Sequence, residues 1–293
     1  MNRLDLPDFF DDNTALDALS VNRRLKSYPH LQQHVHTIKA AYQQYIAVRG
    51  DATMVNNVPL PAEINGYLRS LYASPPADIA YINDIREDSD ADCCPMCGSF
   101  HSGTLDHLLP KMEYPVFAVF VRNLVPACKC NSKRSVLTIG PNAGERVLHP
   151  YFDDILRERL VKARFEDLGA VPKITLEVFL DVGDPNLAAV RFHMQNVVMR
   201  TSILRYIRKS WMNTLRRPNL TAADLRHAPA TRQQLAEILT DELDRQDDVH
   251  GSKNNWRSVF IAGLLDDHVL DWMFAAFQRP GWQPNGPLFE EIV

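Results

Sequence analysis

Apolar residues recur mostly at steps of three and four near the start of the chain: Leu16, Leu19, Val21 and Leu25, then Leu31, Val35, Ile38, Ala41, Tyr42 and Tyr45. That period lays one apolar stripe along a helix and predicts a helical beginning. A turn-rich stretch with Gly50, Asp51, Asn56, Asn57, Pro59 and Pro61 interrupts it, and a second helical run over 64–72 stops before Pro75 and Pro76. Later the period changes to two. Residues 174–180 alternate as a strand, and 188–194 are expected to pair with it across the turn Gly183-Asp184-Pro185. Over 200–217 Ile203, Leu204, Ile207, Trp211 and Leu215 form a buried stripe, while Arg200, Arg205, Arg208, Lys209 and Arg216 occupy the other face without an acid. That face is either a DNA-guiding surface or a solvated one. Residues 251–256, followed by Phe260, Leu264, Leu265, Val269, Leu270, Trp272 and Phe274, read as capped core helices.

Composition narrows the class. Of 293 residues, 45% are hydrophobic and 23% charged, which is ordinary for a globular chain and excludes wholesale disorder. No run approaches the ~18 apolar residues of a membrane span, and residues 1–8 lack a signal peptide's apolar core. A cytoplasmic protein without membrane contact is the expectation. The net charge of −4 argues against a surface coated with nucleic-acid-binding cations, although a local basic face would not show in it. Asp84, Glu87, Asp88, Asp90 and Asp92, against Arg86, suggest a solvated boundary. The organisation expected is an N-terminal helical region over 1–90, a cysteine-bearing module over 91–150 and a mostly helical C-terminal region with a β-hairpin over 151–293. His30, His34 and His36 read as exposed-face residues, and His149 as packing for a flanking turn.

The five cysteines, Cys93, Cys94, Cys97, Cys128 and Cys130, all fall within 93–130. A disulfide framework would spread them across the chain, and an odd number suits it poorly. Two close pairs can instead offer four thiolates to a tetrahedral Zn²⁺, closed to substrate and therefore structural. Gly98 after the first pair suits a tight knuckle turn. The pairs are Cys94/Cys97 and Cys128/Cys130, with Cys93 or His101 as alternative ligands because Cys-x-Cys is shorter than the usual second pair.

Between the pairs lies a second kind of chemistry: Asp106-His107 with Pro110, then Asn123-Leu124-Val125-Pro126, then Cys130-Asn131 with Lys133 and Arg134. Asp106 offers a hard oxygen to Mg²⁺, and a neutral imidazole at His107 can accept a proton. Asn131 could add an oxygen ligand, with cations beside it for phosphate. Over 110–134 the basic residues Lys111, Arg122, Lys129, Lys133 and Arg134 face only Glu113, which favours a local polyanion contact.

In this order of residues the chain resembles the HNH endonucleases, in the subset that carries a zinc knuckle, over about 45 residues. The resemblance implies a mainly α chain enclosing a ββα-metal (HNH) module, α+β in class, with structural Zn²⁺ on Cys94, Cys97, Cys128 and Cys130. It implies that Asp106 and Asn131 hold one Mg²⁺ or Mn²⁺, that His107 is the general base, and that Asn123 pins the loop between the strands. Arg134 would contact phosphate, with Lys111 and Lys133 as further substrate contacts. The shortened second pair departs from the pattern and bears on zinc geometry more than on catalysis. The expected partner is DNA, or else RNA. By analogy with nucleases of this size, an ATPase or another antiphage-defence protein would be a second partner. The rival expectation is a zinc-stabilised module that binds nucleic acid or protein without cutting.

Overall fold

The first apolar stripe folds as two helices rather than one, with Pro29, which cannot donate a backbone hydrogen bond, in the connection between them. In the computed structural model, which describes residues 1–7, 11–87, 92–100 and 103–289, α1 is Asp12–Val21 and α2 is Val35–Ala47, with a 3₁₀ turn His30–His34 between them. Asp11 caps α1 through a side chain that accepts from the Asn13 amide. Val21, expected in the stripe, ends α1 on the surface. Two more helices follow, α3 Ala62–Ala73 and α4 Tyr81–Glu87. Asp88, Asp90 and His101 lie outside the described residues.

Strands β1 Thr104–His107 and β2 Leu124–Ala127 pair antiparallel, Asp106 opposite Val125 and His107 opposite Leu124, and the short helix α5 Cys130–Arg134 follows directly. Further helices then build around a second hairpin. Its strands are β3 Val161–Glu166 and β4 Lys173–Val178. Residues 188–194, expected as the partner of β4, instead lie in α6 Leu187–His193 and just beyond it. Val190, Phe192 and Met194 do alternate, but Leu187, Val190 and Met194 also step by three and four, and Val161, Ala163 and Phe165 supply the better-buried strand face.

Helices α7 Ile203–Arg216, α8 Arg232–Val249, α9 Trp256–Leu264 and α10 Asp267–Phe277 complete the order. Helix α9 lies close on β3 because Gly263 has no Cβ; one added there would stand 2.2 Å from the Ala163 carbonyl oxygen. The chain is thus α+β, largely helical with two small antiparallel sheets. Among the described residues, no helix is long and apolar enough to cross a membrane.

Two hydrophobic clusters fill the molecule. One joins residues of α1 to α4 with Cys94, Met96, Cys97 and the stretch 105–130; the other runs from Met1 through β3 to α10. The segments 1–90 and 91–150 therefore share a core. Trp256 packs against both clusters.

Candidate metal centre and active site

Gly98 turns with φ of +78°, its amide donating to the Cys94 carbonyl at 2.8 Å. This brings Cys94 and Cys97 to one side of the knuckle, and the turn 128–130 brings Cys128 and Cys130 to the other. The four sulfurs lie within 4.8 Å of one another, with Cys94 to Cys130 at 3.7 Å and Cys97 to Cys128 at 3.5 Å. A tetrahedral zinc with ~2.3 Å bonds needs sulfurs about 3.8 Å apart, so the donor set and its spacing fit Zn²⁺. Two amides already point at sulfur, Cys128 N–H at Cys94 and Cys130 N–H at Cys128, as thiolate clusters require. The sulfurs of Cys130, Cys94 and Cys97 hold the Cys128 thiol far below the ordinary range. Cys93 is buried outside the group, so the short Cys-x-Cys pair needs no substitute from it.

The knuckle is clamped from the C-terminal side. Trp256 Nε1 donates to the Cys97 carbonyl at 2.8 Å, the Trp256 amide to Gly98 O at 3.0 Å, and Asn2 N–H to Pro95 O at 3.0 Å. His193 Nδ1 accepts from the Leu148 amide at 2.9 Å, which leaves Nε2–H to donate to Met96 O at 2.6 Å.

Strand β1 sends Leu105 and His107 inward and leaves Thr104 exposed and Asp106 half-buried. His107 Nε2 stands 2.9 Å from the Ala118 carbonyl, which can only accept, so Nε2 carries a proton and in the neutral ring the lone pair lies on Nδ1. Nδ1 lies 3.9 Å from Asp106 Oδ1. Tyr72 of α3 packs its ring edge-on at 4.2 Å between centroids, and its hydroxyl donates to the Leu105 carbonyl. Burial pushes the Asp106 carboxyl up, but His107 and Asn131 beside it outweigh this and hold the group at about 2, the His107 amide donating to Asp106 Oδ1 at 2.8 Å. A partly open, ionised carboxylate thus lies beside the His107 ring, and the oxygen donor fits a hard divalent ion.

The Ala118 carbonyl is placed by the loop between the strands. Asn123 closes this loop: its Nδ2 donates to Leu109 O at 3.0 Å and Phe117 O at 3.3 Å, and its Oδ1 accepts from Leu109 N–H at 2.8 Å. Helix α2 supports the loop from behind, Tyr42 stacking on Phe120 at 4.1 Å and Tyr45 meeting Phe117 at 4.9 Å. His149 joins this network. Its Nδ1 accepts from the Tyr151 amide, so Nε2–H donates to Tyr45 Oη at 2.9 Å, and Tyr45 in turn donates to Asn123 Oδ1 at 3.3 Å. Asn123→Ala would take a partner from four buried groups and should cost about 2–4 kcal/mol in chemical denaturation. An unchanged midpoint would contradict this placement.

Asn131 and Arg134 depart from expectation. The Asn131 amide donates to His107 O at 2.9 Å, and its Oδ1, the atom a cation would need, accepts from Arg134 Nε at 3.1 Å and Nη2 at 2.8 Å. Arg134 is buried and also donates to Leu108 O and Leu137 O. Burial lowers it to about 10, still fully cationic at neutral pH. Here both residues tie the end of β1 to α5. Lys111 Nζ sits 4.4 Å over the Tyr72 ring, which packs on His107, whereas Lys133 is exposed on α5. The Ala118 carbonyl, Tyr72 and Trp256 were not foreseeable from local sequence, because each arrives by a long-range contact. His30 and His36 are exposed and His34 is half-exposed, as expected for surface residues.

The buried imidazoles predict acid lability. Burial lowers His149 to about 3 and His193 to about 4 from the ordinary 6.5. Each therefore stabilises the fold fully above pH 6.5 and loses that contribution as pH falls toward 3–4, of order 3 kcal/mol per histidine. Asp12, raised by burial to about 6, opposes this between pH 6 and 3.8 and is smaller. The melting temperature should fall steadily from pH 6.5 to 4; a flat profile would contradict the neutral assignment.

No family model and no solved structure matches this chain. It is 29% identical over 187 residues to protein ea31 of Escherichia phage lambda, covering 61% of this chain. The chain spans less than two thirds of that relative's length, 63%.

Proposed function

We propose that the protein is an HNH-type, metal-dependent endonuclease that hydrolyses DNA phosphodiesters, stapled by a structural zinc. The observation that carries this reading is His107: a carbonyl fixes its proton on Nε2, which leaves a basic nitrogen 3.9 Å from the ionised Asp106 carboxylate. Both residues lie in the order β1, β2, α5, the element order of a ββα nuclease module. Asp106 would hold Mg²⁺ or Mn²⁺, and the ion would polarise the scissile phosphate and offset its charge. His107 takes the proton of the attacking water at Nδ1. The Ala118 carbonyl keeps that nitrogen aimed, and Asn123 keeps the carbonyl in place. Lys111 lies close enough to add positive charge at the phosphate. Asn131 could serve the ion only by giving up Arg134, so we assign it to fixing the His107 carbonyl.

Titrating Mn²⁺ into zinc-loaded protein tests the assignment. One site is expected, and Asp106→Ala should abolish it while leaving zinc content unchanged. Retention of the site in that variant would remove the ion from Asp106. The rival, a zinc-stabilised binding module, predicts nucleic-acid binding in chelator and no Asp106-dependent ion.

A further inference from the structure

Beyond the knuckle, a cleft of about 570 Å³ opens between α5 and the start of α7. That volume lies within the range of small-ligand sites. Lys129 and Lys133 stand on one wall, Thr201 and Ser202 on the other, and Phe100 and Trp256 are among the lining residues. Both lysines are exposed, and no ion pair engages either among the described residues. The aromatic lining is itself anchored: Phe100 meets Tyr206 at 5.3 Å and Trp256 at 6.4 Å, and Trp256 meets Tyr206 at 5.6 Å. Thr104 also lines the cleft and shares the open face of β1 with Asp106, two residues on. Their Cα separation is about 7 Å, close enough for one stretch of strand to reach both. Helix α7 continues the basic surface from Thr201 and Ser202 through Arg205, Arg208 and Lys209, all exposed and without ion pairs among the described residues.

A like-charged rim over aromatic faces, with hydroxyls opposite, matches a single-stranded polynucleotide: phosphates to the lysines, a base against a ring. We infer that this cleft binds a single-stranded segment of the substrate flanking the scissile phosphate, with α7 extending the track of its backbone. The inference rests on the nuclease reading for what lies at Asp106, but its test does not need cleavage.

The test is anisotropy of a labelled single-stranded oligonucleotide with the full zinc-loaded chain in a weak magnesium chelator that leaves zinc in place. It is run across salt, with a zinc assay on every variant. Lys129→Gln with Lys133→Gln should weaken Kd and lower the log–log salt slope by about 1.4, the share of two single-strand phosphates. Phe100→Ala should weaken Kd roughly tenfold with the slope unchanged. Wild-type Kd and slope in the double variant would overturn the inference. So would zinc loss in that variant, which would make the lysines partners of the thiolates, and so would tighter binding of blunt duplex than of single strand. A protein that shows these binding effects but never cuts in Mn²⁺ would refute the nuclease reading and leave the cleft standing. Cutting that the double variant leaves unchanged, with unchanged binding, would refute the cleft alone.

Discussion

Stripping zinc, or replacing Cys94 with Ser, should lower the melting temperature by roughly 10 °C or more and change the near-ultraviolet signal of tryptophan. The size follows from coupling. A structural zinc contributes on the order of 10 kcal/mol to the segment it folds, and part of that loss passes to the whole chain because the knuckle is not peripheral. Met96 and Cys97 belong to one hydrophobic cluster, while the knuckle carbonyls of Cys97, Gly98, Met96 and Pro95 accept from Trp256, His193 and Asn2. At this chain length each kcal/mol moves the midpoint by about 2–4 °C. The tryptophan signal should change because Trp256 donates to Cys97 O. Elemental analysis should find about one zinc per chain, and Cys93→Ser should keep it, since Cys93 stands outside the cluster. A chelated protein with unchanged melting, or equal zinc loss from Cys93→Ser and Cys94→Ser, would contradict the assignment.

His107→Ala should reduce metal-dependent cleavage by about 10²–10⁴-fold, the usual contribution of a positioned general base. Because the ring is buried, the alanine variant also leaves a cavity and should melt lower. His107→Gln separates the two effects. Its amide can still donate toward the Ala118 carbonyl, but it brings no basic nitrogen, so it should fold better than alanine and be equally slow. Near-wild-type cleavage by the glutamine variant would show that the site works without a base at this position.

How much of this was legible in the sequence depended on whether the signal was local. The pairing of β1 with β2, and α5 after it, was implied by the family resemblance that Asp106-His107, the segment 123–126 and Cys130-Asn131 carry. The cysteine cluster followed from spacing, and the structure settles its membership in favour of Cys128 and Cys130 over Cys93. The apolar stripe of α7 was also readable, because Ile203, Ile207, Trp211 and Leu215 are all buried. The partner of β4 was not, because an alternating run and a helical run coincide over 187–194 and only packing chooses between them. Nor were the hydrogen bonds of Asn131 and Arg134. Their types suit a metal ligand and a phosphate contact, but three residues apart on α5 they satisfy one another and the carbonyls of His107 and Leu108. The net charge of −4 hides local contrast for a similar reason: it averages the acids of α8 against cations on α5 and α7.

The most direct test of the central claim is a single assay of wild-type, zinc-loaded protein on supercoiled plasmid, single-stranded DNA and RNA. It compares Mg²⁺ or Mn²⁺ with EDTA. The account predicts nicks in plasmid or cuts in single-stranded DNA with either ion and none in EDTA. Intact DNA in both ions, with the DNA still bound, would contradict it and favour a binding module.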